Sequence, residues 1–250
     1  MAANVSNVLI IADSRGAGLE KPLLKAFKHN LGVNITLRIY KGVKIEAVKR
    51  KIDRLRITYE LIIVICGICN FTKRDIVNNR KVLTYTEGAE KITHFLSFAR
   101  KIIKGNCIIS TITPASFRKY AEHVNLSGAI PAQEEVQKIL LDDLQTVNRG
   151  IKQISKEKGA PILNLAKKAF QSSKKKRGKK TKTVIQFKPN RLPDGVHLSD
   201  ELKKSWVRNI TGAINKFFKI QKTRDYCPKR RDTSTSEEDS QVESGNFKRK

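Results

Sequence analysis

Aromatic residues are scarce in this chain, at 6% of 250 residues with a single tryptophan, and basic residues outnumber acidic ones by more than two to one. The aromatic shortage leaves no visible stacking platform of the kind with which RNA-recognition modules hold bases. No apolar run approaches the roughly 20 residues that span a bilayer, and the first residues, MAANVSN, lack the charged-then-apolar pattern of a secretion signal. The expectation is an intracellular protein, cytoplasmic or nuclear, with no membrane association. The four cysteines (Cys66, Cys69, Cys107, Cys227) lie at or near apparent strands or close to the C-terminus, which suits reduced thiols better than a disulfide framework. Cys66 and Cys69 have Cys-x-x-Cys spacing. Yet Cys66 ends an apolar strand instead of opening a helix, and no second cysteine or histidine pair completes a zinc site. Buried thiols are expected, with no metal and no cofactor. A Gly-rich phosphate loop is also missing.

What is present is positive charge. The chain carries 51 Lys and Arg against 23 Asp and Glu, a formal net charge of +28. Up to Leu165 there are 27 basic and 14 acidic residues, and beyond it 24 and 9, so the excess runs through the folded part as well as the C-terminal part. Such a field draws polyanions, and nucleic acid, RNA above all, is the expected partner, bound with little sequence selectivity. Two surfaces carry the expectation. One is the insertion containing Lys174, Lys175, Lys176, Arg177, Lys179 and Lys180; the other is the stretch containing Lys49, Arg50 and Arg54, where Glu46 and Asp53 are too few to neutralise their neighbours.

Short, β-branched apolar runs alternate with amphipathic stretches. Five strands are expected at Val8 to Ala12, Val33 to Tyr40, Leu61 to Cys66, Asn106 to Thr111 and Pro161 to Leu165, each apolar enough to be covered on both faces. Helices are expected at Leu19 to His29, Ile45 to Leu55, Glu87 to Ile103, Gln133 to Lys158 and Ser199 to Phe218, the last with Ser199 as N-cap and an apolar stripe of Leu202, Trp206, Ile210, Ile214 and Phe217. This alternation implies an α/β protein, a three-layer α/β/α sandwich around a doubly wound, flavodoxin-like sheet of about five parallel strands. One domain over 1–222 is expected, with a mobile basic loop at 166–182, followed by a disordered charged tail at 223–250. In such sheets the loops beyond the carboxyl ends of the strands gather on one rim. Ser14, Gly42 and the segment Gly67 to Asn70 all follow strands.

Ser14 stands in ADSRG at the tip of the first strand, and Asp194 and His197 stand in DGVHLSD just before the last helix. A serine nucleophile needs a base within reach and a group that orients the base. Together with Gly42 in YKGVKI and Gly67 in GICNF, these blocks resemble those of the SGNH/GDSL hydrolase family, in that order along the chain. The resemblance implies a Ser14–His197–Asp194 triad acting on an ester or acyl group. It implies an oxyanion hole that includes the Gly42 N–H. Where the family usually has Gly-x-Asn this chain has Cys69, and Asn70 follows. Either Asn70 supplies that donor from one residue along, or the hole has lost a member. The family also contains domains that bind RNA without catalytic residues, such as the C-terminal domain of Oskar, and esterase-like domains of LINE-type retrotransposon proteins. A non-catalytic module that binds RNA or DNA through its basic surface is therefore the alternative.

Overall fold

The structure is a computed structural model that describes residues 5–28, 32–77, 79–86, 88–126, 130–177 and 180–225. Four parallel strands form the central sheet: β1 (Ser6–Ala12), β2 (Val33–Ile39), β3 (Leu61–Ile65) and β6 (Cys107–Ile109), in the order β2-β1-β3-β6. Val8, Leu9, Ile10 and Ile11 of β1 and Leu61, Ile63 and Val64 of β3 are almost wholly buried, as central strands covered on both faces must be. The expected fifth strand shrinks to a single bridge, Ser110 to Leu163, with Thr111 N–H donating to the Leu163 carbonyl at 2.9 Å. Pro161 lacks a donor, and the Asn164 side chain accepts from the Thr111 hydroxyl at 3.0 Å, so the ladder ends after one step.

Helices cover both faces. On one, α1 (Glu20–Phe27) packs against α7 (Asp200–Asp225); on the other, α4 (Ala89–Ile102) packs between α2 (Ile45–Asp53) and α6 (Ile130–Glu157). The stripe expected on the last helix is the buried face of α7: Leu202, Trp206, Ile210, Ile214 and Phe217 are each at most 7% exposed. Burial of each such side chain contributes about 1.5–3 kcal/mol. Ser199 caps α7 as expected, its hydroxyl accepting from Leu202 N–H at 3.3 Å. Among the described residues no helix is long and apolar enough to cross a membrane.

Three elements depart from the sequence reading. An antiparallel hairpin, β4 (Thr72–Val77) with β5 (Arg80–Tyr85), and a short helix, α5 (Phe117–His123), follow β3 and β6 respectively. In place of the loop expected at 166–182 the chain makes a 3-10 turn at Ala166–Ala169 and a second antiparallel hairpin, β7 (Phe170–Arg177) with β8 (Lys180–Phe187). Thr181, Thr183, Val184 and Ile185 are β-branched and favour extended backbone, which offsets the charge around them. Helix α7 takes in residues 223–225, the first of the expected tail; 226–250 lie outside the described residues.

Candidate active site

The end of β1 is clamped on both sides. Tyr40 N–H donates to the Ala12 carbonyl at 2.8 Å, and Asp13 N–H donates to the Ile65 carbonyl at 3.0 Å, which fixes where the strand stops. Asp13 then caps a single 3-10 turn, Ser14–Gly16, its carboxylate accepting from Arg15 N–H at 2.9 Å. The turn lifts Ser14 to a half-exposed position at the sheet rim while Asp13 and Arg15 on either side are buried. Arg15 donates through one terminal nitrogen to the Thr113 carbonyl, and its Nε and Nη2 have no partner. Burial pushes the Asp13 carboxyl up, against the pull of Arg15, and pushes the Arg15 guanidinium down, against the pull of Asp13. This buried pair under the serine was not legible in the sequence reading. The signal available was two charges placed directly after the unbroken apolar run Val8 to Ala12.

The second block is a tight turn ahead of α7. Oδ1 of Asp194 accepts from Val196 N–H at 2.9 Å and from His197 N–H at 2.6 Å, and Oδ2 lies 2.5 Å from His197 Nδ1. Desolvation raises the Asp194 carboxyl, but the bonds from the His197 ring, His197 N–H and Val196 N–H outweigh it and hold the group at about 2. A carboxylate that is ionised can only accept, so Nδ1 carries the proton and Nε2 of the neutral ring is left with its lone pair. Gly195 makes the turn possible. Its φ is +79°, and a Cβ there would lie 2.3 Å from the Ser116 carbonyl oxygen and 2.4 Å from Tyr120 N. That close approach lets Ser116 N–H donate to the Gly195 carbonyl at 2.7 Å, which locks the Asp194–His197 turn onto the start of α5.

Ser14 follows the end of β1, and the Asp194–His197 turn is bonded through Gly195 to Ser116, in the connection that follows β6. Ser14 and His197 are not hydrogen-bonded to each other in this conformation; in sites of this kind such bonds commonly tighten only when substrate is bound. Gly42 sits exposed in the turn after β2. The N–H groups of Ser14 and Gly42 have no partner among the described residues.

Asn70 is committed elsewhere. Its Oδ1 accepts from Ile45 N–H at 3.0 Å, and its Nδ2 faces the Glu46 carboxylate at 3.3 and 3.4 Å. It ties α3 (Ile68–Phe71) to the first turn of α2, so its amide hydrogens point at a carboxylate. Cys69 is half-buried; desolvation and the Asp13 charge raise its thiol, while Arg15, Arg74 and Lys44 pull it down. It is a protonated, weak donor. Cys66 and Cys107 are buried as expected; burial raises Cys66 well above its ordinary value and Cys107 to about 12. Gly67 opens α3 at φ +129°, where a Cβ would lie 2.6 Å from Ile112 Cδ1.

The expected nucleic-acid contacts fall in two places. Lys49 and Arg50 lie on α2 and Arg54 at its C-cap. Lys174, Lys175, Lys176 and Arg177 lie on β7 and Lys180 on β8, whereas Lys179 lies outside the described residues.

No protein-family model matches the chain, and no curated protein matches it. Solved structures do. The psychrotrophic esterase EstA from Pseudoalteromonas sp. superposes with a TM-score of 0.50 at 12% identity, covering 86% of this chain and 99% of its own. The acetylxylan esterase Axe2 from Geobacillus stearothermophilus gives 0.51 at 14% identity, covering 86% and 96%. The acetyl xylan esterase AlAXEase gives 0.50 at 15% identity, covering 83% and 99%. With its parallel sheet, flanking helices and ordered blocks, the chain has the α/β/α fold of the SGNH/GDSL hydrolases.

Proposed function

We propose that the protein is a serine ester hydrolase in which Ser14 is the nucleophile, His197 the general base and acid, and Asp194 the group that orients the imidazole. The observation that carries this reading is the Asp194 Oδ2–His197 Nδ1 contact of 2.5 Å, within a turn that leaves Nε2 without a partner among the described residues. Ser14 Oγ attacks the ester carbonyl as Nε2 takes its proton, giving a tetrahedral oxyanion and an imidazolium stabilised by Asp194. Collapse expels the alcohol, which receives that proton, and leaves an acyl group on Ser14. Water, deprotonated by Nε2, attacks in turn; the acid leaves and Ser14 regains its proton.

Ser14 N–H and Gly42 N–H serve as the oxyanion donors. Asn70 is taken up by Ile45 and Glu46, and Cys69 is a poor substitute, so the hole works with one side-chain donor fewer than the family pattern implies. One such donor is worth about 2.7–4 kcal/mol, roughly 10²–10³ in rate, so the enzyme is slow. The similar structures are esterases, two of them acting on acetyl xylan, so a small acyl group such as acetyl is the first substrate to try. Hydrolysis of p-nitrophenyl acetate by the wild type, lost in Ser14→Ala and in His197→Ala, supports the reading; a rate unchanged in Ser14→Ala defeats it.

A further inference from the structure

A concavity of about 230 Å³ opens where α2 ends, lined by Arg38, Arg54, Leu55, Arg56, Ile57 and Tyr59. Arg38 comes from β2, Arg54 caps the C-terminus of α2, and Arg56 lies two residues on in the connection to β3, so two separate pieces of chain bring three arginines to one place. All three arginines are exposed, and none of their guanidinium groups makes a hydrogen bond or ion pair among the described residues. Among the described residues no carboxylate lines the concavity. The acids of α2 are already used. Asp53 pairs with Lys49 at 2.5 Å, and Glu46 pairs with His94 at 2.8 Å. Lys51, the next cation along the helix, is held over the Tyr40 ring at 3.9 Å.

Three like charges gathered around a hollow with no counter-charge repel one another, and an anion that fits the hollow relieves that repulsion. Guanidinium forks match phosphate oxygens two at a time, which ammonium groups do not. We propose that the Arg38–Arg54–Arg56 concavity is a phosphate cradle for the phosphodiester backbone of a nucleic acid, sharing no lining residue with Ser14, Asp194 and His197 and independent of whether they hydrolyse esters. A long polyanion is favoured over a small phosphate because the net charge of +28 is spread over the whole chain and acts over the length of a strand. The contact is to backbone and not to bases. Tyr59, the only aromatic ring in the lining, is 7% exposed and offers no face for stacking.

The test compares two variants of the full chain that lose equal charge. One is Arg38→Gln/Arg54→Gln/Arg56→Gln; the other is Lys21→Gln/Lys25→Gln/Lys28→Gln, which removes three exposed, unpaired cations on and beside α1. Binding of a labelled 20-nucleotide single strand and of a 20-base-pair duplex is followed by anisotropy from 50 to 200 mM salt. Each phosphate contact contributes about 0.7 to the salt slope on a single strand and about 0.9 on a duplex. The arginine variant is therefore expected to lose about 2 from the slope and at least tenfold in affinity at about 100 mM salt, and the lysine variant less than threefold. Equal losses in the two variants overturn the cradle in favour of diffuse charge. So does an arginine variant that binds like the wild type, or one that loses binding only to phosphatidylserine vesicles. A triple Arg→Lys variant guards against a folding defect: it keeps the charge, so its salt slope stays with the wild type while its affinity falls. If its slope falls with that of the glutamine variant, the cradle is refuted.

Discussion

Gly195→Ala is the substitution that most sharply tests how the Asp194–His197 turn is held. Alanine at φ +79° costs about 1–2 kcal/mol in backbone strain alone. Its Cβ would also stand 2.3 Å from the Ser116 carbonyl oxygen and 2.4 Å from Tyr120 N, both backbone atoms at the start of α5 that cannot swing aside as a side chain would. Relief requires the turn and α5 to separate by roughly an ångström. That stretches the 2.7 Å bond from Ser116 N–H to the Gly195 carbonyl, worth about 0.5–1.5 kcal/mol, on top of about 1–3 kcal/mol for forcing atoms into a packed contact. The sum is about 2.5–6.5 kcal/mol, a large part of the stability of an ordinary domain. Urea denaturation with an unchanged m-value reads the loss directly. Gly212→Ala is the internal control, because nothing lies within 4 Å of its Cβ in the middle of α7; it is expected to raise stability by about 0.5–1 kcal/mol. In the protein that remains folded, displacing His197 by about an ångström costs roughly 10² in esterase rate. A Gly195→Ala protein within about 0.5 kcal/mol of the wild type would refute the locked turn.

Two further perturbations follow from the same site. The Asp194 carboxyl is held at about 2 against an ordinary 3.8, so its contribution of about 2 kcal/mol is full above pH 4 and is lost as the pH falls from 4 towards 2. Asp194→Asn should remove that acid-dependent slice of stability, flatten the urea midpoint over this range and lower hydrolysis by up to about 10⁴; a midpoint that still falls as steeply as in the wild type would contradict it. Cys69→Asn restores the amide that the family places in its oxyanion hole and should raise p-nitrophenyl acetate turnover tenfold or more, within the roughly 10²–10³ that one donor supplies. An unchanged or lower rate, with Ser14 still labelled, would show that residue 69 does not face the oxyanion.

Much of this architecture could be read from local pattern. The unbroken apolar runs at Val8 to Ala12 and Leu61 to Ile65 have no reading other than doubly covered strands, and the stripe from Leu202 to Phe217 is the buried face of α7. The first of those runs already puts Ser14 at the carboxyl end of a strand. What failed depended on partners distant in the chain. Asn70 reads as a donor from its block, but Ile45 and Glu46, 25 and 24 residues away, claim its amide. Pro161 to Leu165 reads as a strand by composition, yet one proline and one asparagine side chain reduce it to a bridge. The hairpin Thr72–Tyr85 pairs residues of mixed polarity across a turn in which Asn79 takes φ 60°, and no periodicity announces it. The burial of Asp13 and Arg15 is invisible because charge normally signals surface; residues distant in the chain, Thr113 and Trp206 among them, surround the pair.

Incubation of the folded chain with a fluorophosphonate, followed by peptide mapping of the adduct, tests the serine hydrolase reading most directly. The account predicts one phosphonylated residue, Ser14, with labelling abolished in Ser14→Ala and slowed by orders of magnitude in His197→Ala. A folded protein that takes no label, or takes it elsewhere with Ser14 unmodified, contradicts it.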